Sequence, residues 1–239
     1  MKKTARTFTA EMLKKAIDII ENRLAEIRNN EECPRVKIVG GNHKIGSIPA
    51  FNLPPIVTCG GNCAACMHSC YALKDYLNYR VGAVSTNHCR NMAAIQADPF
   101  QAMMDIDTWL TKHRPAFFRI HSSGDFNLNI DGDMLAYARM WYGIARNHPE
   151  TCFLAFTKCY DVAEAVPFDE LPNFELVLSE WTDALEAPAE LKKRYKTSRA
   201  VNELSDARDD EMICPGSCES CGMCWNLSKT GHNVAFEIH

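Results

Sequence analysis

Between Thr58 and Ala72 the chain reads T-C-G-G-N-C-A-A-C-M-H-S-C-Y-A, with Cys59, Cys63, Cys66 and Cys70 at the spacing C-x3-C-x2-C-x3-C. Four thiols this close can converge on one metal centre without help from the rest of the chain. The fold therefore has to carry this loop to a place where such a centre can sit. A second quartet, Cys214, Cys218, Cys221 and Cys224, lies in C-P-G-S-C-E-S-C-G-M-C-W. Of the 12 cysteines only Cys33, Cys89, Cys152 and Cys159 fall outside these two runs. A disulfide framework spreads its cysteines to close long loops, so the clustering reads as metal ligation in a reducing compartment.

The 239 residues suit one α/β domain. Within it, 1–55 would be an N-terminal helix and lead-in loop, 56–206 a βα-repeat core, and 207–239 a cysteine-rich segment with the last strand. A net charge of −4 gives no overall pull toward nucleic acid or an anionic membrane. The run Lys192-Lys193-Arg194, with Lys196 and Arg199, reads as a solvated helix face. No apolar run approaches a membrane span, and the lysines near the start lack the apolar stretch of a signal peptide. The expected location is the cytoplasm.

Residues 9–29 have Leu13, Ile17, Ile20, Leu24 and Ile27 on one helical face, with Thr7 or Thr9 as cap, for packing or oligomer contact. A strand is expected over Arg35–Val39, a loop over 40–55 containing His43 and Lys44, and a first parallel strand over Ile56–Thr58. Gly60 and Gly61 allow the backbone to bend around a cluster. A helix from about Ala64 to Arg80 would stack Cys66 and Cys70 one turn apart at its N-terminus, where the dipole favours thiolates. Helices follow at 84–97 and 99–113, the second with Pro99 in its first turn.

Strands and helices then alternate. Strands are expected at Ala116–His121, Cys152–Thr157, Phe174–Ser179, Ser198–Asn202 and Asn233–Ile238, with helices at 131–147, 160–166 and 187–195. Such alternation implies parallel βαβ units, best arranged as a partial (β/α)6 barrel; an open doubly wound sheet is the alternative. Polar residues follow nearly every strand: His121 to Phe126, Thr157-Lys158, Ser179-Glu180-Trp181, Asn202-Glu203, and Glu237 with His239. They suggest one pocket lined from the strands' C-terminal ends, with His121, Asp125, Lys158 and Glu180 as candidate catalytic groups. Cys159 could face that pocket, while Cys89 and Cys152 read as core. His68 could ligate, but reads better as exposed.

The C-x2-C-x2-C core of the second quartet is similar to ferredoxin-type runs, and four thiolates would close the coordination sphere. Zinc is the competitor at both quartets, although zinc ribbons usually separate their two knuckles by a longer loop. The chain contains no Walker loop, no G-x-G-x-x-G after a strand, no H-E-x-x-H and no G-x-S-x-G.

The C-x3-C-x2-C at Cys59, Cys63 and Cys66 resembles the cluster loop of radical S-adenosylmethionine enzymes. That resemblance implies a [4Fe-4S] cluster with one open iron for S-adenosylmethionine, and a six-stranded partial barrel. It also places Ser122, Ser123, Gly124 and Asp125 where that family contacts its cofactor. The chain departs from that pattern at Ala65, where an aromatic is usual, and lacks the double glycine and Glu-Pro after the second strand. Cys70 adds a fourth thiolate that would close the open iron.

The wider set of motifs resembles the phage gene product 88-like family, found in phages and mobile elements. The motifs are Phe51–Cys59, Cys66–Ala72, Arg119–Phe126, Phe156–Lys158 and Cys218–Trp225. This resemblance stresses Cys59, Cys66 and Cys70 among the first quartet. Taken together, the expectation is a protein with two [4Fe-4S] clusters, zinc being the alternative metal. It is a radical S-adenosylmethionine-like redox enzyme acting on a small or macromolecular substrate, or a non-catalytic electron-transfer or cluster-carrying module, or, with zinc, a metal-stabilised binding protein. A redox role requires an electron donor.

Overall fold

The computed structural model describes residues 7–40, 44–77, 82–181 and 184–238. His43, Arg80 and His239 lie outside the described residues.

Among the described residues, eight strands form one sheet. They are β1 (Val39–Gly40), β2 (Pro49–Phe51), β3 (Phe117–Ile120), β4 (Cys152–Thr157), β5 (Phe174–Trp181), β6 (Lys196–Val201), β7 (Glu211–Ile213) and β8 (Asn233–Glu237). Their order is β1-β2-β3-β4-β5-β6-β8-β7, with β1 antiparallel to β2 and every other pair parallel. From β2 to β6 each strand is added on the same side of the last. Right-handed crossovers that always step one way lie on one face. On that outer face stand α5 (Pro99–His113), α6 (Ala136–Asn147), α7 (Tyr160–Ala165) and α8 (Ala189–Arg194). Phe118, Ile120, Phe153, Ala155, Leu176 and Leu178 point there and pack on Ile106, Leu110, Trp141 and Val162. Burying each large side chain of this kind contributes ~1.5–3 kcal/mol.

The single reversal comes last. β7 is added beyond the place of β8, and β8 returns to insert between β7 and β6. A backward step with the same handedness puts its connection on the opposite, inner face. That connection is the cysteine-rich segment, with α9 (Cys218–Cys221) and α10 (Leu227–Thr230). Trp225 and Leu227 pack on Leu154, Val177 and Val234, the inner-facing residues of β4, β5 and β8. The sheet is strongly curled. Phe156 of β4 and Phe236 of β8 have ring centroids 5.7 Å apart, although three strand spacings in a flat sheet are ~14 Å. This is an open, partial-barrel arrangement with its interior filled by the chain's own C-terminal segment.

Before the barrel, α1 (Ala10–Asn30) buries Ala16, Ile20, Leu24 and Ile27 against α3 (Leu73–Leu77) and α4 (Gly82–Ala97). Thr9 is its cap, its side chain accepting from the Met12 N–H at 3.2 Å. α5 begins as its sequence indicates, with Pro99 in the first turn and Asp98 accepting from the Gln101 N–H at 2.9 Å.

Four expectations need correction. The first parallel strand is Pro49–Phe51, not Ile56–Thr58. Pro54 and Pro55 lack the N–H that a ladder needs, Ile56 takes φ 68, and the Thr58 hydroxyl closes a turn onto the Pro54 carbonyl at 2.6 Å. The strand expected at Arg35–Val39 shrinks to Val39–Gly40. The helix expected from Ala64 is broken into α2 (Ala64–His68) and α3. The His68 carbonyl accepts from the Phe8 N–H at 2.7 Å, and the His68 ring bonds the Phe8 carbonyl, so the chain leaves the helix there. His68 is thus a tie to the N-terminal segment. The basic run is not simply a solvated face: Lys192 reaches the buried Glu180 at 2.7 Å, and Arg199 is buried against Glu211.

Candidate metal centres

The first quartet leaves the C-terminal end of β2. Cys63 caps α2, its sulfur 3.5 Å from the Cys66 N–H. Cys70 lies between α2 and α3, so a turn and not a helical step brings it toward Cys66. Three of the thiols feel the charge of another: Cys59 that of Cys70, Cys70 that of Cys66, and Cys66 that of Cys63. Burial pushes the thiols of Cys59, Cys66 and Cys70 above their ordinary range, and Lys158 opposes that for all three. Lys158 hydrogen-bonds to Cys66, and its Nζ donates to Ser179 Oγ at 3.0 Å. Gly61 lies directly on Lys158, where a Cβ would sit 1.8 Å from the Lys158 carbonyl oxygen. The close approach of two loops, rather than any turn geometry, requires glycine there.

The second quartet lines one small cavity on the inner face, together with Met212 and Trp225. Its backbone is latched in place. Cys214 N–H donates to Ala235 O at 2.9 Å, Cys218 N–H to Lys44 O at 2.7 Å, and Glu219 accepts from Ser47 N–H at 3.3 Å. Cys224 is buried, and burial pushes its thiol up to about 12. Among the described residues no group of three or more His, Cys, Asp or Glu side chains is drawn together around a single metal ion.

Between the quartets stands Arg119, an inner-facing residue of β3. Its Cζ lies 4.2 Å over the Phe156 ring, and Nη2 donates to the His121 carbonyl at 3.3 Å. Cys218 and Cys224 act on its charge, and so does Tyr71. The Tyr71 ring is 52% exposed, yet its hydroxyl reaches in to donate to the Ser122 carbonyl. Burial of that hydroxyl pushes its pKa up to about 12. Arg119, Phe156, Phe236 and Lys44 form a cation–ring–ring–cation series across the inner face, the two rings edge to face and Lys44 4.1 Å from the Phe236 centroid.

Five sequence motifs are therefore linked through Arg119 and Ser122: Phe51–Cys59, Cys66–Ala72, Arg119–Phe126, Phe156–Lys158 and Cys218–Trp225. The family described as Gene product 88 matches residues 22–227. The chain belongs to the gene product 88 family. No curated protein and no solved structure matches it.

In this gene product 88 chain the segment after β3 is occupied internally. Asn52 Oδ1 accepts Ser122 N–H and Oγ–H, both at 2.8 Å, and Ser123 N–H at 3.3 Å. Ser123 Oγ donates to Leu53 O at 2.9 Å. Gly124 has φ 87, and a Cβ would meet Leu53 and Thr58 at 2.7 Å. Asp125 accepts Phe126 N–H, the Thr157 hydroxyl and Lys158 N–H at 2.7–2.8 Å, while burial raises its pKa. These four residues stitch the β2 and β3 exits together.

The polar strand ends do not share one pocket, because alternate residues face opposite sides of a strand. Lys158 and Ser179 stand with the first quartet. His121 turns to the outer face, with Nε2 2.7 Å from the Tyr137 hydroxyl and its ring among Phe51, Phe126 and Trp141. Glu180 also turns outward, to Lys192 and the Ala187 N–H. Asn202, Glu203 and Glu237 are exposed. Cys159 is buried on the outer face and takes the Gly61 amide, whereas Cys152 packs beside Trp225. Cys89 is core, its thiol 3.9 Å from Ile20 O.

Arg119, Tyr71 and Asn52 were not singled out from sequence as site residues, and Lys44, noted in its loop as able to face the site, read better there as exposed. A signal existed for Arg119: a charged residue inside the apolar strand A-F-F-R-I-H is unusual unless something anionic meets it.

Among the described residues, no helix is long and apolar enough to cross a membrane.

Proposed function

We propose that this protein binds two cysteine-ligated iron–sulfur clusters and works as a one-electron redox protein in the cytoplasm. Cys59, Cys63, Cys66 and Cys70 would hold one [4Fe-4S] cluster; Cys214, Cys218, Cys221 and Cys224 would hold the other. When bound, such clusters supply one-electron transfer at potentials set by ligands, charge and exposure. The observation that carries the reading is that each thiol quartet is matched by its own half-buried cation, Lys158 at the first and Arg119 at the second. Thiolate centres are anionic, and a buried cation stabilises them while excluding water. Tyr71 lies between the two cations' territories, feeling Arg119 on one side and Cys70 and Cys59 on the other. Zinc at either quartet is the competing metal, since the donor set suits it too.

A second reading, a radical S-adenosylmethionine-like enzyme, is favoured by the place of the first quartet. It follows the first parallel strand of a barrel-like sheet, at the strands' C-terminal ends. In that version Cys70 is spare and Ser122 to Asp125 contact the cofactor. The internal hydrogen bonds of those four residues favour the closed, four-thiolate version.

The two quartets give a direct test. Cys59→Ser/Cys66→Ser and Cys218→Ser/Cys221→Ser should each lose about half of the iron of the anaerobically purified protein. Loss of all iron in either variant, or of none, contradicts two independent centres. Cys70→Ala separates the readings: the closed version loses or converts the first cluster. An intact cluster that cleaves S-adenosylmethionine to 5′-deoxyadenosine under strong reductant would establish the enzyme.

A further inference from the structure

We propose that Arg119 is the built-in counter-ion of the second quartet, so that the fold is electrostatically complete only when Cys214, Cys218, Cys221 and Cys224 hold a net-anionic metal centre. The inference rests on reading that quartet as a metal site, and is indifferent to whether the metal is iron or zinc.

A buried guanidinium normally meets a carboxylate through two parallel hydrogen bonds. Arg199 does this here, with Nε and Nη2 at 2.8 and 2.6 Å from Glu211. Arg119 does not. Among the described residues no carboxylate forms an ion pair with it, and its Nε is buried without a partner. Its hydrogen bond to a carbonyl and its contact with the Phe156 face neutralise no charge. Asp125 is the carboxylate whose charge reaches it, and both Asp125 oxygens are taken by Phe126, Thr157 and Lys158. The Tyr71 hydroxyl donates its proton to the Ser122 carbonyl. What remains acting on the guanidinium is Cys218 and Cys224, which pack in the same cluster as the Phe156 ring that Arg119 covers.

An unpaired buried cation is costly, and removing one partner of a buried pair is strongly destabilising. Metal-bound cysteines are deprotonated outright, so a loaded quartet supplies the missing anion. Lys44, over the Phe236 ring, also acts on Cys218. The same arginine should thus be an asset in the loaded protein and a liability in the empty one.

That sign reversal is the test. Arg119→Met keeps much of the stem and its contact with Phe156 but removes the charge. In full-length protein stripped with a chelator, Arg119→Met should raise the melting temperature by about 4 °C. In a Cys59→Ser/Cys66→Ser background, titrating Zn²⁺ against a chromophoric chelator reads the second quartet alone. There Arg119→Met should weaken zinc binding at least tenfold, and Arg119→Lys should restore most of that loss. If Arg119→Met lowers the melting temperature of stripped and loaded protein alike, or leaves zinc affinity unchanged, Arg119 is a packing residue and the proposal is wrong. Failure of the stripped variant to fold would equally contradict it. A finding that the native metal is zinc would overturn the iron–sulfur reading while leaving this contrast intact.

Discussion

The carboxylate of Asp125 accepts the backbone N–H of Lys158 at 2.8 Å, and so ties the exit of β3 to the exit of β4. Its other oxygen takes the Phe126 N–H at 2.8 Å and the Thr157 hydroxyl at 2.7 Å. This bracket sets the Lys158 side chain against Cys66 and Gly61 against the Lys158 carbonyl. Asp125, read from sequence as a candidate catalytic or cofactor-binding group, holds the frame on which the first quartet rests.

Asp125→Asn replaces one acceptor oxygen by an NH₂ that faces a donor. Leaving a buried donor unmade should cost ~1–3 kcal/mol in a urea melt. Metal at the first quartet should fall with Lys158 released, while metal at the second is retained.

Gly61→Ala should be more selective still. The added methyl would meet the Lys158 carbonyl oxygen at 1.8 Å, and backbone cannot yield as a side chain tip can. The cysteine loop must move away. The expected outcome is loss of first-quartet metal, with the second quartet still loaded, read by metal analysis after purification.

Two buried histidines set an acid limit. Burial holds His121 down to about 3, with Arg119 adding to it, and burial holds His88 down to about 4, both from an ordinary 6.5. Each is neutral in the fold but takes up a proton on unfolding below about pH 6.5. Their contribution is therefore complete above pH 6.5 and is lost as pH falls toward 4. At pH 5 each should cost about 2 kcal/mol of stability relative to neutral pH. His121→Gln, which can still bond Tyr137, should flatten the pH dependence of the urea midpoint between pH 4 and 6.5 by about half. An unchanged slope would show that His121 does not titrate this way.

Much of the architecture was legible because its signals are local and strong. The Cys152–Thr157 strand and the 99–113 helix are found within the expected bounds, the first as a short apolar run and the second through its Asp98-Pro99 start. The serial parallel sheet followed from the alternation of elements. What sequence hid was non-local. β2 has three residues beginning with proline and draws its identity from pairing with β3. β7 is equally short and exists because β8 lies beside it, an arrangement also braced by the Arg199–Glu211 pair. The break after His68 depends on Phe8, sixty residues away in the chain.

At the sites, the sequence named the thiols but not their surroundings. Cysteine spacing is a local pattern, whereas the cations that face the thiols come from distant strands. The turn of His121 and Glu180 to the outer face follows from strand register, which shifts with the boundary assigned to each strand. The inner course of the cysteine-rich segment follows from one backward step in strand order, visible only once β7 is known.

Both quartets are proposed to hold iron–sulfur clusters. This is tested most directly by measuring iron, zinc and acid-labile sulfide in protein purified without oxygen. About eight irons and eight sulfides per chain, four of each per quartet, are expected. About two zinc ions per chain and no labile sulfide would contradict it.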